Sequence, residues 1–299
     1  MNAEARNARW NVLGLLPAQL IMLATLIVPV GIIVLVSFST RGPYGGFDYV
    51  FTTAPYRQIL FNEGWTGELE FNPQYLIVVA RTMILAAATT FICLLLSFPV
   101  AYFISLQKVT AKMLLIYLVT LPFWVSMIVR VYSWIIILGN DGVIAKTLRA
   151  LGLVDNMGSL LFTDTAMLIG LVYSYIPLMI LPIFASIEKL DPALVEASHD
   201  LYGSRLTTLR RVILPLCQPG MMAGSILVFV PCLGAVLEPI LLGGGKTMMM
   251  GNLIQLQFGA ARNWPLGAAI SIVLMAAVLV FLVWRGLRAI RRERAEAAA

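Results

Sequence analysis

The stretch "TAMLIGLVYSYIPLMILPIFASI", residues 165–187, decides the fold class, because it contains no charged residue and is long enough to cross a membrane as one helix. About 20 mostly apolar residues in a helix span the hydrocarbon core of a bilayer. Further windows of similar length and character occur along the chain. The predicted spans lie near residues 13–38, 75–104, 113–138, 165–187, 212–242 and 266–284. The sequence therefore predicts an all-α polytopic membrane protein with six transmembrane helices, residues 1–299 forming a single transmembrane domain.

The composition agrees with this fold class. Hydrophobic residues make up 60% of the chain and charged residues 12%, whereas soluble proteins carry about 25% charged residues. The formal net charge of +6 is explained by the basic residues that flank the spans, so it gives no reason to expect a nucleic-acid partner. The cysteines Cys93, Cys217 and Cys232 lie in predicted spans and have neither disulfide nor metal-site spacing. We expect them to pack in the core.

The basic residues predict the orientation, because Lys and Arg are retained on the cytoplasmic side of a membrane. If the N-terminus is inside, the cytoplasmic segments contain Arg6, Arg9, Lys108, Lys112, Lys189, Arg205, Arg210, Arg211, Arg285, Arg288, Arg291, Arg292 and Arg294. The outer segments then contain only Arg41, Arg57, Lys146, Arg149, Lys246 and Arg262, over longer stretches. Both termini are therefore predicted to be cytoplasmic.

The run "LLGGGKTMMM", residues 241–250, contains Gly-Lys-Thr and raises the question of nucleotide binding. A phosphate-binding loop needs a glycine five positions before its Gly-Lys pair and must join a strand to a helix. Ile240 stands at that position, and the preceding segment is continuously apolar. We interpret the run as a turn at the membrane surface, and expect no cofactor on this chain.

The loop over residues 188–211, "EKLDPALVEASHDLYGSRLTTLRR", predicts two helices on the cytoplasmic side. Asp191 is a helix-capping residue, and Pro192 fits the first turn, where no backbone donor is needed. Gly203 is expected to end this helix in a left-handed cap, and Ser204 to begin the next helix.

The first of these helices is amphipathic at helical spacing. One face is predicted to carry Glu196, His199, Asp200 and Gly203, and the other Leu194, Ala197 or Ser198, and Leu201. Anionic lipid repels acidic side chains, which favours a protein partner over the membrane surface. The predicted docking residues are Asp191, Glu196, Ala197, His199, Asp200, Leu201, Gly203 and Ser204.

The segment "EASHDLYGSRLTTLRRVILP", residues 196–215, resembles the EAA loop of the permease subunits of ATP-binding-cassette importers. Ser198 replaces the second alanine of that pattern, and Tyr202 stands where its glycine is expected, with Gly203 one place later. "FPVAYFIS" (98–105), "LPFWVSMIVRVYSWIIILGNDGVI" (121–144) and residues 171–198 are similar to the spermidine/putrescine-type branch of the family.

The resemblance implies a type I importer of the bacterial inner membrane, in which this chain is one permease and its amphipathic loop helix is the coupling helix. The implied partners are two ATP-binding subunits, a second permease, a periplasmic solute-binding protein and membrane lipid. ATP and Mg²⁺ would bind the ATPase subunits. It implies no catalytic and no metal-binding residue on this chain.

Charged side chains inside the predicted spans require a partner or a water-lined cavity. They are Arg81, Arg130 and Glu238. Relatives of the polyamine branch tend to carry an aspartate where this chain has Ala235, and Glu238, three residues on, lies on much the same helix face. The predicted solute path consists of Arg130, Tyr173, Tyr175 and Glu238.

Several alternatives stay open at this stage. Arg130 has a structural interpretation, bound to free carbonyls beside Pro177 or Pro231. The solute is a polyamine or related amine, or else an amino-acid derivative, another organic cation or a chelated metal. Two other classes are an intramembrane enzyme, which needs a nucleophile and base at membrane depth, and a secondary transporter, which usually carries discontinuous helices or several buried charges.

Overall fold

The computed structural model describes residues 3–63, 69–152, 160–245 and 248–296. Lys246 and Thr247 of the Gly-Lys-Thr run lie outside these ranges. The chain forms two compact units, one comprising Met1–Tyr75 and Ile254–Ala299 and the other Leu76–Leu253. Each unit is described separately below.

The first unit contains two long helices and a small hairpin. Its elements are α1 (Ala3–Ser37), α2 (Ala54–Gln58), β1 (Phe61–Glu63), β2 (Leu69–Phe71) and α14 (Trp264–Glu296). β1 and β2 are antiparallel, with Phe61 opposite Phe71. Both α1 and α2 pack against α14. This unit therefore holds the predicted first and last spans.

The second unit contains the remaining spans and the loop at residues 188–211. Its helices are α4 (Val109–Trp124), α5 (Met127–Leu138), α6 (Val143–Ala150), α7 (Asp164–Glu188), α8 (Pro192–Asp200), α9 (Arg205–Thr208), a π-helix (Leu209–Ile213), α10 (Leu214–Leu216), α11 (Gln218–Leu233) and α12 (Leu237–Leu241). Helices α3 (Gln74–Ser105) and α13 (Met250–Phe258) each have residues in both units.

The helical membrane fold predicted from the sequence is confirmed. Over the described residues, five helices are long and apolar enough to cross a membrane, and a bent pair raises the number to six. Helical segments cover every predicted span. Two of those spans are not continuous helices, however.

The predicted third span, 113–138, is interrupted at Val125 and Ser126, which adopt extended backbone conformations between α4 and α5. Pro122 lies in the last turn of α4. Proline lacks an N–H group and clashes with the preceding turn, so it weakens the helix at this point. A purely apolar pattern does not reveal such a break.

The predicted fifth span, 212–242, also differs. Arg205–Leu216 and Gln218–Leu233 are inclined at 63° to each other, and α11 ends nine residues before the predicted boundary, leaving α12 as a separate short helix. Pro219 lies in the first turn of α11, where its missing N–H group removes a bond to the preceding helix. The bend is therefore encoded locally.

Close packing of α7 against α11 forms the core of the second unit. A Cβ atom on Gly220 would lie 2.6 Å from the Pro182 carbonyl oxygen, and one on Gly224 2.7 Å from the Met179 sulfur. The absence of these side chains lets the two helices approach. Free, fully buried thiols are found at Cys93, Cys217 and Cys232, in agreement with the expected packing role.

Candidate functional site

The start of α8 is as the sequence predicts. The Asp191 carboxylate accepts a hydrogen bond from the Ala193 amide at 3.0 Å, and Pro192 occupies the first turn. Ser204 caps α9 in the same manner, since its hydroxyl accepts a bond from the Thr207 amide at 3.2 Å. These caps satisfy backbone donors that have no partner within a helix.

The end of α8 differs from the prediction. The left-handed residue is Tyr202, with φ of 58°, whereas Gly203 has no positive φ. The Gly203 amide donates to the Ser198 carbonyl at 2.8 Å, which closes the turn. A Cβ at position 203 would lie 2.5 Å from that same carbonyl oxygen. Glycine is therefore needed at 203 for close approach, and Tyr202 carries the backbone strain.

Only one side of α8 packs against the protein. Val195 is half-buried against the core cluster containing Ile187 and Ile213. The Ser198 and Thr208 hydroxyls are hydrogen-bonded at 2.9 Å, which ties α8 to the end of α9. No sequence pattern indicated Thr208, because its contact depends on how the two helices fold back on each other.

The predicted faces of α8 are both open to the surroundings. Glu196, Ala197, His199 and Asp200 are exposed, and the His199 ring nitrogen Nδ1 lies 3.2 Å from the Gly203 carbonyl oxygen. On the apolar side Leu194 is exposed, and Leu201 and Tyr202 are 83% and 98% exposed. Glu196 and Asp200 thus form an exposed acidic strip, and Leu194, Leu201 and Tyr202 form an exposed apolar strip. We name the two strips together the α8 surface.

The α8 surface is anchored to the helices around it. The Lys112 ammonium of α4 lies 2.9 Å from both carboxylate oxygens of Glu188, at the end of α7. Leu190 and Leu209 pack against the same core cluster as Val195. The segment that leads into α8 is therefore fixed to α4 and α7, and α8 itself packs against α9 and the π-helix.

Arg81 has a partner that the sequence analysis did not identify. Its guanidinium forms an ion pair with the Asp164 carboxylate at the start of α7. Both side chains are partly exposed, so this pair is a surface link between α3 and α7 rather than a buried charge.

The predicted path residues Arg130, Tyr175 and Glu238 lie on α5, α7 and α12, which contact one another. The Arg130 guanidinium is close enough to interact electrostatically with both Glu238 and Tyr175. Tyr173 instead packs edge-on against Trp134, with ring centroids 5.5 Å apart. The fold thus brings three of the four predicted path residues into one cluster.

The polar groups of this cluster are incompletely satisfied. Glu238 has no exposed surface, and neither carboxylate oxygen accepts a hydrogen bond from a described residue. The Nε and Nη1 atoms of Arg130 are likewise buried without an acceptor there. The Pro231 carbonyl oxygen accepts a hydrogen bond from the Tyr175 hydroxyl at 3.4 Å. Ala235 is buried beside this region.

The family of binding-protein-dependent transport system inner membrane components matches residues 90–295 of this chain. The chain belongs to that family. The spermidine/putrescine transport system permease protein PotB of Escherichia coli is 36% identical over 259 residues, covering 86% of this chain and 90% of PotB.

Solved structures agree with this membership. A bacterial ABC transporter involved in import of the acidic polysaccharide alginate matches with a TM-score of 0.72 and 16% identity, over 96% of this chain and 98% of that one. The bacterial alginate ABC transporter in complex with an alginate pentasaccharide-bound periplasmic protein gives 0.68 and 18%, over 94% of each chain. At this identity the likeness shows the fold alone.

This permease is therefore an inner-membrane subunit of an ABC importer, similar to PotB. The enzyme and secondary-transporter alternatives do not agree with that membership. Its relatives are transport permeases, so we assign it no reaction of its own.

Proposed function

We propose that this chain is one of two permease subunits of a polyamine importer and that the α8 surface receives an ATPase subunit. The similarity to PotB over most of both chains carries the substrate assignment, because PotB is named for spermidine and putrescine. The full assembly in this proposal contains two ATP-binding subunits that bind ATP and Mg²⁺, a second permease and a periplasmic binding protein. Both termini of the permease lie in the cytoplasm.

The exposed composition of α8 supports docking to a protein. Leu201 and Tyr202 are large apolar side chains with little contact to this unit, while Glu196 and Asp200 beside them are acidic and exposed. An anionic lipid surface would repel the acidic strip, and exposure to water would leave the apolar strip unburied. A protein partner with an apolar cleft and basic residues at its rim would bury the apolar strip and attract the acidic strip. The proposed docking residues are Asp191, Glu196, Ala197, His199, Asp200, Leu201, Gly203 and Ser204.

The connection from α8 to the bent span supports force transmission. α8 contacts α9 and the π-helix directly, and α10 and α11 follow without a loop. In the proposed mechanism, closure of the ATPase subunits on ATP moves α8, and the helices attached to it change the access of the solute path. The path is lined by Arg130, Tyr173, Tyr175 and Glu238.

Glu196→Lys tests the docking proposal. Reversing this exposed charge should lower ATP-dependent uptake by at least about tenfold, because a like charge facing the basic rim of the partner costs several kcal/mol. Uptake and ATPase activity are measured together in proteoliposomes that contain the complete importer. The matched control is Glu70→Lys, an exposed glutamate on β2. Normal coupled uptake by Glu196→Lys would contradict the proposal.

The substrate assignment has a separate test. The cognate binding protein is heated in the presence of polyamines, amino acids and metal chelates, and a ligand that binds only the folded state raises its melting temperature. Putrescine or spermidine should give the largest shift. A larger shift with an amino acid or a metal chelate would move the assignment to that class.

A further inference from the structure

We propose that the Glu238 carboxylate is a binding point for an organic ammonium ion, and that Arg130 occupies the position of counter-ion when no ammonium is bound. This inference rests on the proposed import of amines and adds the atoms at which an amine is recognised. It concerns only the second unit, where α5, α7 and α12 meet.

The environment of Glu238 is the first observation. The side chain is completely buried, yet both carboxylate oxygens lack a hydrogen bond from any residue in the described part of the chain. A buried carboxylate is strongly disfavoured unless it is paired and hydrogen-bonded. A carboxylate whose donors are missing is therefore poised to accept donors from a ligand.

Arg130 is the second observation. Arg130 lies on α5, which contacts α12 where Glu238 lies, but its Nε and Nη1 atoms make no hydrogen bond to a described acceptor. The pair is therefore near in space without the bidentate geometry that makes an arginine–carboxylate pair strong. If the two side chains formed a permanent structural ion pair, we would expect the guanidinium to donate hydrogen bonds to the carboxylate. A counter-ion that a ligand displaces does not need these hydrogen bonds.

The guanidinium also has an aromatic neighbour. The Arg130 Cζ atom lies 5.8 Å from the centroid of the Phe123 ring, at the limit of a cation–π contact. Arg130 is therefore not committed to Glu238 alone, and an arriving ammonium ion repels the guanidinium and competes with it for the carboxylate.

The groups around the carboxylate suit an ammonium ion. A carboxylate accepts hydrogen bonds, and an ammonium donates two or three. The Ser174 hydroxyl on α7 lies beside the carboxylate as a donor, and the Tyr175 hydroxyl, which donates to the Pro231 carbonyl at 3.4 Å, keeps its oxygen free to accept. Gly170 of α7 lets Leu242 pack closely beside Glu238, since a Cβ at position 170 would collide with the Leu242 side chain and lie 3.6 Å from the Glu238 Cγ atom.

A bound metal ion fits this cluster less well. No group of three or more His, Cys, Asp and Glu side chains converges anywhere in the described ranges. Divalent cations in proteins require several such ligands. A single carboxylate with neighbouring hydroxyls is instead typical of recognition of an organic cation.

The test uses the complete importer in proteoliposomes, supplied with its binding protein, ATP and radiolabelled putrescine. The permease variants are Glu238→Gln, Glu238→Asp, Arg130→Gln and the double variant Glu238→Gln/Arg130→Gln. Glu70→Gln is the control, because Glu70 is exposed on β2 and belongs to the first unit. Uptake is normalised to the amount of importer in the membrane, and ATPase activity is recorded in parallel.

We expect Glu238→Gln to lower putrescine uptake at least about tenfold, the effect of losing a hydrogen bond to a charged group. Glu238→Asp should retain more uptake than the Gln variant, since it keeps the negative charge. The double variant should be as impaired as Glu238→Gln alone. Glu70→Gln should resemble the wild type.

The double variant separates this proposal from a structural ion pair. If Arg130 and Glu238 only hold helices together, removal of both charges relieves the unpaired charge left by either single change, and uptake returns toward the wild-type value. That recovery would overturn the inference, as would undiminished uptake by Glu238→Gln. An importer that moves another solute but no amine would overturn both the polyamine assignment and this inference. If the wild type takes up putrescine and Glu238→Gln is fully active, only this inference is overturned.

Discussion

At the scale of single residues, the turn after α8 shows how two neighbours divide one structural task. Tyr202 has a φ of 58°, the conformation for which glycine is the favoured residue. Gly203 could adopt this conformation but does not. Glycine is required at 203 because a Cβ atom there would collide with the Ser198 carbonyl oxygen. This explains why the importer pattern places glycine at the position of Tyr202. In this chain the turn is kept at the expense of backbone strain at Tyr202.

Replacement of Tyr202 by glycine should stabilise the turn. A left-handed conformation costs a non-glycine residue about 1–2 kcal/mol, so Tyr202→Gly should increase hydrogen-exchange protection of the amides over residues 201–206 by about tenfold. Gly203→Ala is the opposing control and should reduce that protection, because its Cβ meets a backbone oxygen. Equal exchange rates in wild type and Tyr202→Gly would show that the tyrosine is not strained there.

At the scale of elements, the bent fifth span links the α8 surface to the core. The π-helix Leu209–Ile213 lies between α9 and α10, and π-helical turns frequently occur at functional sites. Beyond the bend, α11 lies against α7 through Gly220 and Gly224. The part of the span before the bend is thus attached to α8 and the part after it to α7, with the 63° bend between them.

The contact between α7 and α11 should be sensitive to a single methyl group. In Gly220→Ala the new Cβ would lie 2.5 Å from the Ser186 Cβ and 2.6 Å from the Pro182 carbonyl oxygen. Overpacking of this kind costs about 1–3 kcal/mol, so the apparent melting temperature of the purified permease should fall. Gly31→Ala, at a helical position with nothing within 4 Å, should leave it unchanged or raise it. A Gly220→Ala protein as stable as the wild type would mean that α7 and α11 are less closely packed than described.

At the scale of the whole molecule, the predicted topology places α8 in the cytoplasm and the segment after the third span outside. The basic residues carry this prediction, since they concentrate in the segments assigned to the inner side. The same topology places both termini inside. Family membership sets the inner membrane as the location and leaves the orientation as a proposal.

Thiol labelling in intact cells tests the orientation within one unit. Tyr202→Cys and Leu151→Cys introduce thiols where the native side chains are 98% and 66% exposed, and Leu151 lies beyond the candidate span Met127–Thr147. A membrane-impermeant maleimide should modify Leu151→Cys in whole cells with a permeable outer membrane, and Tyr202→Cys only after the inner membrane is opened. The native thiols at Cys93, Cys217 and Cys232 are fully buried and provide the unreactive background. The reverse labelling pattern would invert the topology.

The sequence by itself determined the fold class, the approximate spans, the capped ends of α8 and α9 and the family resemblance. These features depend on apolar length, charge and local hydrogen bonding, which are properties of short windows. The breaks in the third and fifth spans lie at prolines in the sequence, but the structure was needed to locate them. The tertiary structure alone decided that Tyr202 rather than Gly203 takes the left-handed conformation and that Asp164 pairs with Arg81. It also decided that Arg130, Tyr175 and Glu238 lie in one cluster, because this depends on how closely α5, α7 and α12 pack. Close packing between distant segments is not a property of any single stretch of sequence.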